Sequence, residues 1–138
     1  MYPEEIVIPM KEELTENGFT ELLTANEAEQ AITDKGTTLV MINSVCGCSA
    51  GTARPGVLMA VHNASNKPDN LTTSFAGFDI EAVNKIREHL APYPPSSPAI
   101  ALFKNGQLVH MVERHMIEGR SAQMIADNLI GAFNQYCN

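Results

Sequence analysis

Residues Ala99–Val112 read AIALFKNGQLVHMV, two β-prone apolar arms on either side of Asn105-Gly106. An Asn-Gly pair between such arms predicts a two-residue hairpin with a type I′ turn, whose central residues both take positive φ. A tight hairpin makes its strands antiparallel. The sheet to which these arms belong is therefore not wholly parallel, and a doubly wound parallel fold becomes the weaker alternative.

Upstream, Thr37–Val45 (TTLVMINSV) is a continuous apolar and β-branched run, the pattern of a central strand buried on both faces. Leu71–Ala76 is a shorter, threonine-rich strand that follows a turn at Lys67-Pro68-Asp69-Asn70. Between them, Val57, Leu58 and Val61 give Arg54–Asn63 helical spacing. Pro55 sits either in the first turn of that helix or at a kink in one that starts nearer Cys48. Asp79 is placed to cap a helix with Ile80, Val83, Ile86 and Leu90 on one face, and Pro92–Pro98 (PYPPSSP) ends it. Ser121 is placed to cap a last helix facing inward through Ile125, Leu129, Ala132 and Phe133. Residues 1–36 read as a helical lead-in. One helix starts over Pro9–Leu14, and a second is opened by the capping box Thr24-Ala25-Asn26-Glu27 and closed at Gly36.

The expected organisation is one α/β domain, with the lead-in at 1–36 and a core at 37–138 in the order β-α-β-α-β-β-α. A βαβ unit requires parallel strands and a right-handed crossover, whereas the hairpin requires an antiparallel pair. A mixed four-stranded sheet with helices on both faces meets both demands. Thioredoxins are built this way.

The chain has 138 residues, 44% hydrophobic, and a formal net charge of −7. That length suffices to bury a core without staples. Acidic residues spread along the chain argue against nucleic acid or an anionic membrane as the main partner, because both call for a clustered basic surface. The N-terminal MYPEEIVIPMKEEL carries acids where a secretory signal has positive charge, and no run has the length of a membrane span. These features predict a cytoplasmic protein, in which the sequons at Asn63 and Asn70 are chance matches. Three cysteines in a reducing compartment do not form a disulfide framework. A close pair there points to catalysis or metal binding.

That pair is Cys46-Gly47-Cys48, where the first core strand ends. Open α/β sheets place their sites at the carboxyl ends of strands. A helix start stabilises a thiolate through its free amides and dipole, so a cysteine there becomes nucleophilic near neutral pH. Arg54 is the nearest cation in sequence, either assisting the thiolate or solvated at the surface, and Ser44 and Ser49 are candidate donors to sulfur. A disulfide across one residue closes a ring of about eleven atoms, in which the preferred torsion is hard to reach without strain. Gly47 eases closure. A strained bridge is readily reduced, which suits acceptance of a mixed disulfide better than general reduction. Two alternatives stay open. The thiols can be mere packing, as free cysteine often is, or metal ligands, which requires two more donors such as Cys137 and His115. Ser97-Pro98, just before the hairpin, is compatible with a cis bond beside the pair, although a trans loop terminator is the commoner state. Glu113-Arg114-His115 and Glu118-Gly119-Arg120 lie in a loop that could face the site, although a polar cluster there is usually solvated surface and none of them reads as catalytic; nothing recruits His62, His89 or His110.

SPAIALFKNGQLV is similar to the thioredoxin stretch that runs from the cis-proline into the hairpin. KGTTLVMINSVCGCSAGTARPG, FAGFD, PPSSPAIAL and RHMIEGRSAQMIADNLIGAFNQYC resemble the bacilliredoxins, thioredoxin-like proteins marked by a CGC motif, from about Glu4 onward. The resemblance implies a thiol–disulfide oxidoreductase that removes bacillithiol from mixed disulfides on client proteins, with weak disulfide isomerase behaviour. It assigns Cys46 as nucleophile and Cys48 as resolving thiol, with Ser97 and Pro98 at the substrate in the place of the thioredoxin cis-proline. Bacillithiol enters as co-substrate, with no cofactor or resident metal. A general disulfide isomerase unrelated to bacillithiol, or a metal or iron–sulfur carrier using both thiols, are the alternatives.

Overall fold

A computed structural model describes residues 1–138. Helix α1 (Glu4–Thr15), strand β1 (Thr20–Glu21) and helix α2 (Ala25–Thr33) precede the central strand β2 (Thr37–Asn43). Helix α3 (Arg54–Asn63), strand β3 (Asn70–Phe75) and helix α4 (Ile80–Leu90) follow. The hairpin strands β4 (Ala99–Lys104) and β5 (Gln107–Val112), a short helix α5 (Arg114–Ile117) and helix α6 (Ala122–Tyr136) complete the chain. The sheet order is β1-β3-β2-β4-β5, parallel among β1, β3 and β2 and antiparallel from β2 through β4 to β5. The fold is the mixed α/β sheet expected from the hairpin. Asn105 and Gly106 take φ of 50° and 82°, as a type I′ turn requires. A register shift between Leu102 and Phe103 interrupts the β4–β5 pairing.

Side-chain alternation along the strands makes two cores. Leu39 and Met41 of β2 and Ile100 and Leu102 of β4 face α1, α3 and α6. Val40 and Ile42 of β2 and Ala101 and Phe103 of β4 face α2 and α4. Burial on both sides explains why β2 reads as an unbroken apolar run. The predicted inner faces of α4 and α6 are buried except at Ile80, which is 47% exposed. Thr24 and Glu27 form the capping box, and the Ser121 side chain accepts from the Met124 amide.

Four details differ from the sequence expectation. The lead-in contributes a fifth strand: Thr20–Glu21 pairs with Thr72–Thr73 at the sheet edge, and two residues are too few to show a period. Helix α1 starts at Glu4 rather than near Pro9, which lies inside it; Pro3 is its cap residue. The Asp79 carboxylate does not cap α4, although the helix starts just after it. It accepts from the Phe75 amide at 2.9 Å and binds Lys11 instead. The loop after the hairpin contains α5, one turn of helix.

Candidate functional site

Three buried polar side chains fix the end of β2. Asn43 Oδ1 accepts from the Ser44 amide at 2.9 Å, the Ser49 hydroxyl at 3.0 Å and Arg54 Nη1 at 2.9 Å. Arg54 Nη1 also donates to the Ser44 carbonyl at 3.1 Å and to Ser49 Oγ at 3.0 Å. Its Nε lies 3.1 Å from Glu13 of α1, an ion pair without the angle of a hydrogen bond. Arg54 is therefore neither solvated nor an aid to the thiolate. It is 1% exposed and ties strand, turn and helix together.

From this anchor the chain turns into helix. Helical backbone begins at Gly47 and Cys48, passes through a π-helical turn over Ser49–Ala53, and continues as α3 with Pro55 in its first turn. Both alternatives for Pro55 are thus partly realised: the helix starts near Cys48, and proline opens its α-helical part. π-Turns often mark functional sites. The Cys46 carbonyl accepts from the Ser49 amide at 2.9 Å and the Ala50 amide at 3.4 Å, so Cys46 is the residue from which the helix springs. Its sulfur accepts from the Cys48 amide at 3.4 Å, as a capping side chain does. Neither Ser44 nor Ser49 donates a hydroxyl to sulfur. Ser44 Oγ accepts from the Cys46 amide at 3.1 Å, and the Ser49 hydroxyl is spent on Asn43.

Cys46 and Cys48 are free, half-buried thiols whose sulfurs lie 2.6 Å apart. Sharing a proton divides their acidities. The hydrogen bond from the Cys48 thiol holds Cys46 below the ordinary thiol range against some desolvation, and the Cys48 amide, the Arg114 charge and the Ser49 amide add to the effect. Burial, followed by the bond and charge of Cys46, pushes Cys48 up to about 11. The arrangement makes Cys46 the thiol of the pair that ionises first and leaves the proton on Cys48. Such a thiolate can attack a disulfide sulfur.

A cavity of about 380 Å³ opens beside Cys46, with Ser44, Ser97, Arg114, Arg87 and Tyr2 among its walls. The Ser97-Pro98 bond is cis, as is Ala91-Pro92. Pro98 is buried, and the Ser97 carbonyl accepts from Arg114 Nη1 at 3.3 Å. The structure thus brings together Cys46, Cys48 and Ser97, while Pro98, joined to Ser97, is not among the cavity walls. Cys137 stays apart, beside Thr37 at the other end of β2, roughly 20 Å along the strand. His115 is exposed, and no group of three His, Cys, Asp or Glu side chains is placed to hold a metal. Arg114 lies in the loop that the sequence allows to face the site, and it does face it, whereas Arg87 carries no sequence signal of a site residue. Arg114 is paired with Glu118 on the one-turn helix α5, and Arg87 lies in α4, far away in sequence.

The sequence matches the family described as Disulphide isomerase over residues 2–137. A protein named Bacilliredoxin from Cytophaga hutchinsonii is 61% identical over 129 residues, which cover 94% of this chain and 95% of that one. Another Bacilliredoxin, from Bacillus cereus, is 48% identical over 141 residues, covering 99% and 95%. Among solved structures, a mutant thioredoxin from Halobacterium salinarum superposes with a TM-score of 0.59 at 15% identity, covering 88% of this chain and 93% of that one. Mitochondrial thioredoxin 3 from Saccharomyces cerevisiae gives 0.58 at 15%, covering 89% and 98%. The structural likeness shows the thioredoxin fold, and with identities of this size over nearly the whole chain, this protein belongs to the bacilliredoxin family of thiol–disulfide oxidoreductases.

Proposed function

We propose that the protein removes bacillithiol from mixed disulfides on client proteins, with Cys46 as nucleophile. The observation that carries this reading is the half-exposed Cys46 sulfur at a helix start, next to a thiol that stabilises its anion. The Cys46 thiolate attacks the bacillithiol sulfur of the mixed disulfide. A Cys46–bacillithiol disulfide forms, the client's S–S bond breaks, and the client cysteine leaves as its thiolate. The nearby Cys48 thiol can supply the proton that this thiolate needs. Resolution follows one of two routes. A second bacillithiol attacks and leaves as the symmetrical disulfide, restoring Cys46. Otherwise Cys48 attacks Cys46, closes the eleven-membered bridge and expels bacillithiol. The second route gains from the chemistry of the first step. Two of the four causes that raise Cys48, the bond and the charge of Cys46, vanish once Cys46 is modified, while burial and the lesser effect of the Glu118 charge remain. The Arg114 charge then favours its ionisation.

The test is clearance of a bacillithiolated client. Cys46→Ala abolishes turnover on this account, and Cys48→Ala slows release and traps the adduct on Cys46. Clearance at the wild-type rate by Cys46→Ala removes the assignment. The family description favours a second reading, general disulfide isomerisation, in which the same thiolate attacks a wrong protein disulfide and is displaced by another client cysteine. Parallel rates on scrambled and bacillithiolated clients separate the two. A metal carrier gains less support, since the site offers only two sulfur donors.

A further inference from the structure

Arg87 of α4 reaches the cavity beside Cys46 from an element that carries none of the CGC machinery. Its Nε is buried and has no hydrogen-bond partner. The molecule's ion pairs engage Lys11, Arg54, Lys85, Arg114, His89 and His115, and none includes Arg87. Burial alone acts on its acidity, with no opposing charge to compensate. Arg87 is half-buried, and in a chain with net charge −7 a guanidinium at a cavity wall without an ion-pair partner has its hydrogen-bonding capacity unused. The thiolate is not its missing partner: Arg114 is the cation that bears on Cys46. Arg114 shares the cavity but is already held by Glu118 at 2.6 Å and by the Ser97 carbonyl.

We propose that this cavity is a carboxylate subsite, in which Arg87 binds the anionic end of a small thiol whose sulfur is joined to Cys46. The volume, about 380 Å³, lies within the range of small-ligand pockets. A guanidinium with an unused edge matches a carboxylate through two parallel N–H···O bonds. The proposal rests on the thiol-exchange reading only in taking Cys46 as the reacting sulfur.

The experiment compares two chromogenic disulfides, carboxylate-bearing dithiobis(nitrobenzoate) and neutral dithiodipyridine, on reduced Cys137→Ala protein. In each case the Cys46 thiolate forms one S–S bond to the probe, the probe's own S–S bond breaks, and an aryl thiolate is released and measured. The ratio of the two initial rates cancels any general change in Cys46. Arg87→Gln lowers this ratio about tenfold, the lower end of what a charge-assisted hydrogen bond contributes. Arg87→Lys retains most of it, and Lys35→Gln, an exposed cation lost elsewhere, leaves it unchanged. Arg87→Met keeps the apolar stem and repeats the glutamine result if that variant is poorly folded. A ratio within about twofold of the parent in both neutral variants, or an equal loss in Lys35→Gln, overturns the subsite. Failure to clear bacillithiolated clients with the Arg87 preference intact sinks the bacillithiol reading alone. Clearance with no Arg87 dependence sinks the subsite alone.

Discussion

Replacing Arg54 by methionine keeps a long stem in the core and removes the group that joins β2, the CGC turn and the π-turn. The wild-type guanidinium donates to Asn43, Ser44 and Ser49 from a position that is 1% exposed. The three acceptors suffer unequally. Asn43 Oδ1 keeps the Ser44 amide and the Ser49 hydroxyl, whereas the Ser44 carbonyl loses its arginine donor. The ion pair with Glu13 adds little, because that carboxylate is 46% exposed. Against the lost charge-assisted bonds stands relief from burying a cation, so the net cost is about 2–4 kcal/mol. For a chain of this size that lowers Tm by roughly 6–20 °C. Urea unfolding measures the cost, and the rate of Cys46 alkylation measures the loosened turn, which should fall in the same variant. Arg54→Lys keeps the charge without the fork and falls between the two. An Arg54→Met protein within about 0.5 kcal/mol of wild type and equally reactive would falsify the anchoring role.

Four further outcomes rest on the site and on two glycines. The pH at which Cys46 becomes half-alkylatable lies below that of an ordinary thiol, and Cys48→Ala moves it upward, because the Cys48 hydrogen bond is the largest cause of the depression. The linked stability has a definite sign: a depressed folded pKa stabilises the fold above the unfolded thiol's pKa, and this contribution is lost as pH falls through the folded value, as pH-dependent unfolding of wild type against Cys46→Ala can show. Gly106→Ala places a side chain at φ 82° in the hairpin turn and costs about 1–2 kcal/mol, read by thermal unfolding. Gly56→Ala sets a Cβ 2.8 Å from Ile125 Cβ and 3.0 Å from the Ala122 carbonyl where α3 crosses α6, and costs about 1–3 kcal/mol by the same assay.

What the sequence made legible is what local chemistry dictates. Asn105-Gly106 admits few turns, Thr24 and Glu27 announce a helix start, and the unbroken run of β2 declares a strand with two covered faces. The cysteine pair was legible because it interrupts that run at its end. Features decided by distant partners were not. Pro9 is tolerated inside α1, and Asp79 turns away from its helix because Lys11 and the Phe75 amide compete for it. Arg54 looks like any surface arginine until Asn43, Ser44 and Ser49 close around it. Arg114 and Arg87 reach the site only because the fold brings α5 and α4 to one cavity beside Cys46.

The proposed chemistry requires Cys46 to be the attacking sulfur and Cys48 its less acidic neighbour. Peptide-level mass spectrometry after brief exposure of the reduced protein to oxidised bacillithiol at neutral pH tests it directly. The expected result is a first adduct on Cys46, transient in wild type and accumulating in Cys48→Ala. A first adduct on Cys48 or Cys137, with Cys46 unmodified, contradicts it.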